Sequence, residues 1–231
     1  MTTPRHGPLV DPDDVPPWLR ALVKATADLD PQMFRRLSLP SRDARDAAVL
    51  ILFGEHEERG PDLLLQLRAD GTSAHSGQVA FPGGAAEPDD AGPVETALRE
   101  AVEETGVDPS GVRPVALLPR LHIPVSGFHV TPVVAHWERP SRVWAVDPAE
   151  TAAVARVPVE VLADPANRFQ VRHPSGFLGP AFALPGMLVW GFTAGVLTML
   201  LSIAGWERPW DTGDVRDLET AWAAVGAEVG R

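Results

Sequence analysis

The sequence predicts an α/β or α+β fold, a sheet covered by helices. Apolar runs of strand length alternate along the chain with stretches of helical period, and neither an internal repeat nor a Gly/Ser linker divides the 231 residues. A chain of this length buries a substantial core without covalent staples. Residues 18–27 carry the first helical pattern. Residues 47–53 (AAVLILF) and 63–67 are continuous apolar runs that read as strands joined by a hairpin. A helix is predicted over 93–105 and strands over 115–118 and 129–135. Pro132, inside the last of these, argues for a sheet edge or a bulge, because proline donates no ladder hydrogen bond. Short helices are expected over 148–155 and 158–162, a strand over 169–173 and a long helix over 188–203.

Residues 187–204 (MLVWGFTAGVLTMLLSIA) contain no charge and have the length of a short membrane span. Within them Gly191, Gly195, Thr198 and Ser202 recur at helical spacing as one small or polar stripe, which suits a helix packed closely on a sheet or loop. The flanking Arg168, Arg172, Arg208 and Arg216 show no one-sided distribution of positive charge. A buried helix is therefore expected, and no membrane partner. Residues 1–17, rich in Pro and Asp and without a cationic start and apolar core, read as a mobile arm. Residues 18–204 read as a single domain and 205–231, which include Trp206-Glu207-Arg208-Pro209-Trp210, as a tail.

Composition excludes several function classes. With 20 Lys+Arg against 31 Asp+Glu the formal charge is −11, and no basic run interrupts it, so a nucleic-acid partner is not expected. The chain has no Cys, which removes disulfide scaffolds, thiolate metal sites and thiol nucleophiles. The same absence fits a reducing compartment, and a cytoplasmic location is expected.

Residues 81–107 (FPGGAAEPDDAGPVETALREAVEETGV) carry the most chemistry. Phe81-Pro82-Gly83-Gly84 follows an extended run, and paired glycines allow a tight loop and close backbone approach. In the helix beyond, Glu100, Glu103 and Glu104 stand at i, i+3 and i+4, so three carboxylates share one side. Like charges at that spacing cost roughly 0.2–0.5 kcal/mol per pair, and the C-terminal end of a helix is an unfavourable place for them. Two readings follow: a solvated acidic face, or a platform for Mg²⁺ or Mn²⁺, which take oxygen ligands from a few carboxylates, water and substrate phosphate.

Arg99-Glu100-Ala101-Val102-Glu103-Glu104-Thr105-Gly106-Val107 resembles the second half of the Nudix box, in which Arg-Glu is followed by an apolar residue, any residue, Glu-Glu, any residue, Gly and an apolar residue. The first half departs from the pattern. The box ordinarily has Gly, five residues, Glu and seven residues before Arg; here Gly84 and five residues lead to Asp90, and eight residues separate Asp90 from Arg99. Upstream, Leu64-Leu65-Gln66-Leu67-Arg68, Gly77 and Phe81-Pro82-Gly83-Gly84 resemble the signature of the coenzyme A pyrophosphatases of that family, with Ser73 where a second Arg is usual. Ser126-Gly127-Phe128-His129-Val130-Thr131-Pro132 and Trp190-Gly191-Phe192-Thr193 resemble further segments of the same family.

The resemblance implies an α/β/α sandwich with a mixed central sheet. It also implies metal-dependent hydrolysis of a nucleoside diphosphate derivative, cleaved at its P–O–P bridge by water. Glu100 and Glu104 would be the principal ligands of Mg²⁺ or Mn²⁺, Glu103 either a third ligand or the general base, and Arg99 the residue that orients a neighbouring carboxylate. A backbone carbonyl near Gly84 is a further implied ligand. Arg68, Gly77, Gly83 and Gly84 fall on the substrate side; Arg68 reads equally as a phosphate contact or as a surface ion pair. His75 and His129 are substrate contacts or hydrogen-bonded structural residues, and Phe128 stacks on a base or fills the core. Glu150, on the helix expected over 148–155, is a possible extra carboxylate. For a CoA-like substrate the products would be 3′,5′-ADP and 4′-phosphopantetheine. The alternatives are another nucleoside diphosphate derivative, such as a nucleotide sugar or a dinucleotide, and a non-catalytic nucleotide-binding regulator.

Overall fold

The structure, a computed structural model, describes residues 6–30, 44–69, 77–123 and 127–229. The apolar runs of the sequence become β2 (Arg45–His56) and β3 (Gly60–Arg68), an antiparallel hairpin at the middle of a mixed sheet. β2 is buried on both faces, which is why it reads as an unbroken apolar run. Ala48, Leu50 and Leu52 face one core and Ile51 and Phe53 the other. Its second neighbour is β8 (Phe128–Trp137), which runs parallel to it. Beyond β8 lie β6 (Val112–Leu117), β7 (Leu121–Ile123) and, at the edge, β1 (Gly7–Pro8). On the other side β4 (Val79–Ala80) and β9 (Thr151–Pro158) pair with β3, while β5 (Gly83–Ala85) pairs with the first half of β2.

Helix α2 (Pro93–Thr105) covers one face of this sheet through Ala97 and Ala101. Helices α1 (Pro17–Ala25), α3 (Val159–Ala163) and α4 (Gly191–Ile203) cover the other. That is the sandwich with a mixed central sheet and helical cover that was expected. A second, smaller sheet is built from β10 (Arg168–Arg172), β11 (Leu178–Leu184), β12 (Met187–Val189) and β13 (Val215–Asp217). Helix α5 (Leu218–Val229) packs on it through Leu218, Ala221 and Val225.

Four expectations are corrected. Pro132 lies in β8, between β2 and β6, rather than at an edge. Its carbonyl accepts from Leu118 N, so its missing donor faces the break between β6 and β7, where no strand asks for one. Residues 148–155 are a turn and then β9, not a helix; pairing with β3 overrides the helical preference of their alanines. Residues 187–204 are split: 187–189 are a strand, Gly191 takes φ +65°, and only then does α4 begin. Along α4 Ser202 is exposed and Gly191, Gly195 and Thr198 are half-buried, while Ala194, Val196, Leu197, Leu200 and Leu201 are buried. Among the described residues no helix is long and apolar enough to cross a membrane.

The ends are the fourth correction. The described part of the N-terminal arm is built into the fold, with Gly7 and Pro8 paired to Leu117 and Ala116. The boundary at residue 204 cuts through the second sheet, because β13, from the expected tail, lies parallel to β10. Trp206 packs on Trp18 and Phe53 (ring centroids 6.4 and 5.5 Å), Glu207 lies 3.1 Å from the buried Arg168 guanidinium, and Trp210 stacks on that same guanidinium. The segment Trp206–Trp210 thus ties the second sheet to the main core.

Candidate active site

The site is assembled where β5 passes under α2. A Cβ on Gly83 would fall 2.3 Å from the Ala48 carbonyl oxygen, and Gly83 has φ +155°, so no other residue fits there. A Cβ on Gly84 would fall 2.5 Å from the carboxyl carbon of Glu100. The paired glycines therefore let β5 lie flat on β2 and let the Glu100 carboxylate lie directly on the backbone.

Helix α2 delivers the carboxylates because both of its ends are fixed. Pro93 starts it at the position where no N–H is needed, and Gly106, at φ +65°, stops it. The orphan carbonyls of Glu104 and Thr105 accept from Val146 N (3.3 Å) and Trp144 N (3.0 Å), so residues 144–146 clasp the C-terminal turn.

The three glutamates sit in three environments. Glu104 is 8% exposed, and its Oε2 accepts from Gln66 Nε2 at 2.6 Å and from Gly83 N at 2.8 Å. Among the described residues the nearest positive charge, Arg68 Nη1, is 3.5 Å from Oε1. Burial outweighs these neighbours and pushes the Glu104 carboxyl up to about 7. Glu100 is half-buried, 3.1 Å from Arg99 Nη1, and burial pushes it up as well. Glu103 is exposed, with Arg99 Nη1 at 3.4 Å.

Arg99 is the hub of the loop side. Its Nε and Nη2 donate to the two oxygens of Asp90 at 3.1 and 3.0 Å, and Nη2 donates to the Ala85 carbonyl at 2.9 Å. Asp90 also accepts from Thr96 Oγ1 and Glu87 N, both at 2.9 Å, and the Arg99 guanidinium holds it well below the usual carboxylate range. The turn closed by Asp90 N and the Glu87 carbonyl (3.1 Å) carries the short Asp side chain up to Arg99 despite the longer spacing. The repulsion among the three glutamates is thus partly offset inside the chain, by Arg99 and Arg68, rather than left wholly to an added cation.

Among the described residues no three His, Cys, Asp or Glu side chains converge as a ready metal cage. The donor chemistry nevertheless fits a hard divalent cation. Glu104 is a buried carboxylate whose Oε1 has, among the described residues, only a distant partner, and the neighbouring Glu100 is raised by burial. A divalent charge relieves both conditions. Glu100 and Glu104 are the residues that would hold it, with exposed Glu103 as a third carboxylate on the same helix.

Two residues of the site were missed from sequence. Gln66 and Thr151 are fully buried, and Thr151 Oγ1 lies 3.1 Å from Gln66 Oε1. The signal was the alternation of β3. Leu64 faces the α2 core, and the next two residues on that face, Gln66 and Arg68, are polar where an apolar pair is the rule. Of the remaining candidates, Gly77 lies in the turn before β4 at φ +69°. His129 Nδ1 lies 2.8 Å from Arg120 Nη2, which also pairs with Asp46, and its ring meets that of His122 edge-on. Phe128 is half-buried under the Arg45 guanidinium instead of filling the core. Glu150 is exposed in a turn, its carbonyl accepting from Ala69 N at 2.9 Å, beside the end of β3 that carries Arg68. Ser73, His75 and Ser126 lie outside the described residues.

Comparison with known proteins agrees with this geometry. The NUDIX domain family matches residues 43–175. An uncharacterized Nudix hydrolase, NudL, of Cronobacter sakazakii is 38% identical over 78% of this chain and 91% of its own. A protein of the same name from Pectobacterium atrosepticum is 50% identical over a shorter stretch, 41% of this chain and 48% of that one, so there the chain matches about half of its relative's length. Among solved structures, the Nudix hydrolase RenU of M. smegmatis superimposes with a TM-score of 0.50 at 19% identity, over 73% of this chain and 90% of that one, a likeness of fold. The chain belongs to the Nudix family.

Proposed function

We propose that this protein hydrolyses the diphosphate bridge of coenzyme A or a CoA derivative in the presence of Mg²⁺ or Mn²⁺. Water adds across the P–O–P bridge, and the products are 3′,5′-ADP and 4′-phosphopantetheine, acylated where the substrate is a thioester. The observation that carries the hydrolase reading is Glu104: a buried carboxylate, raised to about 7, held by neutral donors and placed beside Glu100 and Arg68. The CoA reading is supported by the signature residues Leu64, Leu65, Arg68, Gly77 and Phe81–Gly84; the likeness to the NudL proteins supports a Nudix hydrolase.

When bound, a divalent cation would neutralise charge on the phosphoryl oxygens and make water a stronger acid at the site. The chain's own groups do the rest. Gly83 N–H and Gln66 hold Glu104 in place, and Gly84 leaves room for Glu100. Arg68 stands free enough, at 35% side-chain exposure, to meet a phosphate oxygen with its guanidinium. Exposed Glu103, whose carboxylate meets Arg99 at 3.4 Å, is the base suited to take the proton from the attacking water.

The test is incubation of the purified protein with CoA, acyl-CoA, ADP-ribose, NADH, diadenosine polyphosphates and nucleoside triphosphates, with and without Mg²⁺ or Mn²⁺. Metal-dependent release of 3′,5′-ADP from CoA or acyl-CoA is the expected result. Turnover of another diphosphate in preference to CoA moves the substrate within the family, and no turnover with either metal leaves a nucleotide-binding regulator.

A further inference from the structure

The two oxygens of Glu104 are not equivalent. Oε2 accepts both short hydrogen bonds, from Gln66 Nε2 at 2.6 Å and Gly83 N at 2.8 Å, whereas Oε1 has Arg68 Nη1 at 3.5 Å and no closer donor among the described residues. One oxygen is anchored and the other is presented.

Gln66 is gripped at both ends of its amide, by Glu104 and by Thr151. A glutamine amide can sit either way round, and only its partners decide which end points where. Thr151 Oγ1 is 3.1 Å from Gln66 Oε1, and of these two oxygens only the hydroxyl has a proton to give. The Glu104 carboxylate, an acceptor, calls for the NH₂ end of the amide; Oε1 is then left facing Thr151, and the Thr151 hydroxyl donates to it and holds the amide in that orientation. The reversed amide would set a carbonyl oxygen against a carboxylate oxygen in a space where Gln66 is 0%, Thr151 1% and Glu104 8% exposed. No solvent is at hand to relieve that clash of acceptors. Thr151 is itself held at the start of β9, where the pairing with β3 shifts register beside Arg68, and its N–H donates to the Asp147 carbonyl at 2.9 Å.

We propose that Thr151 and Gln66 are positioning residues: Thr151 fixes the Gln66 amide, Gln66 and the Gly83 N–H pin Oε2 of Glu104, and Oε1 is the oxygen offered to the cation. The proposal rests on the metal-platform reading above. It gives a hydroxyl on β9, distant in sequence from the family motif, control over the metal affinity of α2.

The experiment is calorimetric titration of the substrate-free protein with Mn²⁺, well below its melting temperature, for wild type, Thr151→Val, Thr151→Ser and Gln66→Leu. Thr151→Val keeps the shape and removes the donor, and Gln66→Leu removes the relay. Both should weaken Mn²⁺ binding by about 10- to 100-fold, the usual cost of losing a hydrogen-bond partner behind a metal ligand. Thr151→Ser restores the hydroxyl and should bind within a few-fold of wild type. A role in packing alone would lower the melting temperature without separating Val from Ser in Mn²⁺ affinity. Wild-type Mn²⁺ affinity in a folded Thr151→Val protein overturns the proposal while leaving the metal platform standing. Absence of Mn²⁺ binding in the wild type overturns the platform and the relay together.

Discussion

Two carboxylates flank helix α2 in settings of opposite electrostatics. Asp90, on the loop side, receives two parallel hydrogen bonds from Arg99 and two more from Thr96 and Glu87, and is held far below its ordinary acidity range. Glu104, on the strand side, receives its short hydrogen bonds from an amide and a backbone N–H and is pushed up to about 7. Asp90 is fully compensated by the chain. Glu104 is ordered but not neutralised, which is the state of a group waiting for a cation. The two differ in burial as well as in partners: Glu104 is desolvated and held at close range by neutral donors, whereas Asp90 is held by a guanidinium.

Glu104→Gln breaks the comparison on the strand side and carries the largest expected effect. The amide keeps the volume and its oxygen can still accept both short hydrogen bonds, so the protein should fold, while kcat should fall by about 10³-fold or more, the scale of losing a group that stabilises transition-state charge. Steady-state kinetics with saturating Mn²⁺, beside a melting curve, checks both halves. Wild-type kcat in this variant would remove Glu104 from the chemistry.

Next is the pH dependence of stability without metal. Glu104 has a folded pKa of about 7 against 4.5 in an ordinary environment, so between those values the native state holds a proton that the unfolded state has released. Its contribution is complete below pH 4.5 and is lost as pH rises through about 7, a fall of up to ~3 kcal/mol. Asp90 works in reverse. Its depressed pKa stabilises above 3.8 and is lost only as pH falls below that value, so the two windows do not overlap. Denaturant melts at pH 4.5, 6 and 8 should show the fall in wild type and a much flatter profile in Glu104→Gln; added Mg²⁺ should restore stability at pH 8.

How much of this contrast was legible in the sequence differs between the two sides. Helix α2 has the bounds its sequence predicts, because Pro93 and Gly106 are local signals that need no tertiary partner. The spacing of Glu100, Glu103 and Glu104 likewise puts them on one side before any fold is known. What the sequence could not reveal is which glutamate is buried, since that depends on β3 and β5 arriving from elsewhere. Gln66 and Thr151 are 85 positions apart and become neighbours only through the pairing of β3 with β9, a strand whose alanine-rich start reads as helix. Of the second sheet the sequence shows β10, as the strand expected over 169–173, but not its parallel neighbour: Val215–Asp217 is too short to read as a strand without β10 beside it.

On the loop side, Asp90→Asn tests whether Asp90 belongs to the chemistry or to the scaffold. Loss of its charge loosens Arg99, whose other partners, Ala85 O, Glu100 and Glu103, remain. The expected outcome is a lower melting temperature and a kcat reduced between about 10- and 100-fold, as for a residue one step behind the ligands. A loss as large as that of Glu104→Gln would erase the distinction between the two pockets.

Glu87→Ala is the control with the smallest expected effect. Glu87 also faces Arg99, but at 3.8 Å and with a side chain 62% exposed, so water already screens the pair. Its contribution to Asp90 is made through its backbone N–H, which alanine keeps. Exposed pairs of this kind are worth about 0–1 kcal/mol, and kcat should be unchanged within a factor of about two. The two variants remove the same formal charge from the same arginine and differ in geometry, one a buried, two-pronged contact and the other a loose one. If Glu87→Ala matches Asp90→Asn in both kinetics and melting, Arg99 is held by net negative charge around it. If only Asp90→Asn shows an effect, the paired hydrogen bonds hold the guanidinium in place, and Asp90 does the work of the glutamate it replaces in the box.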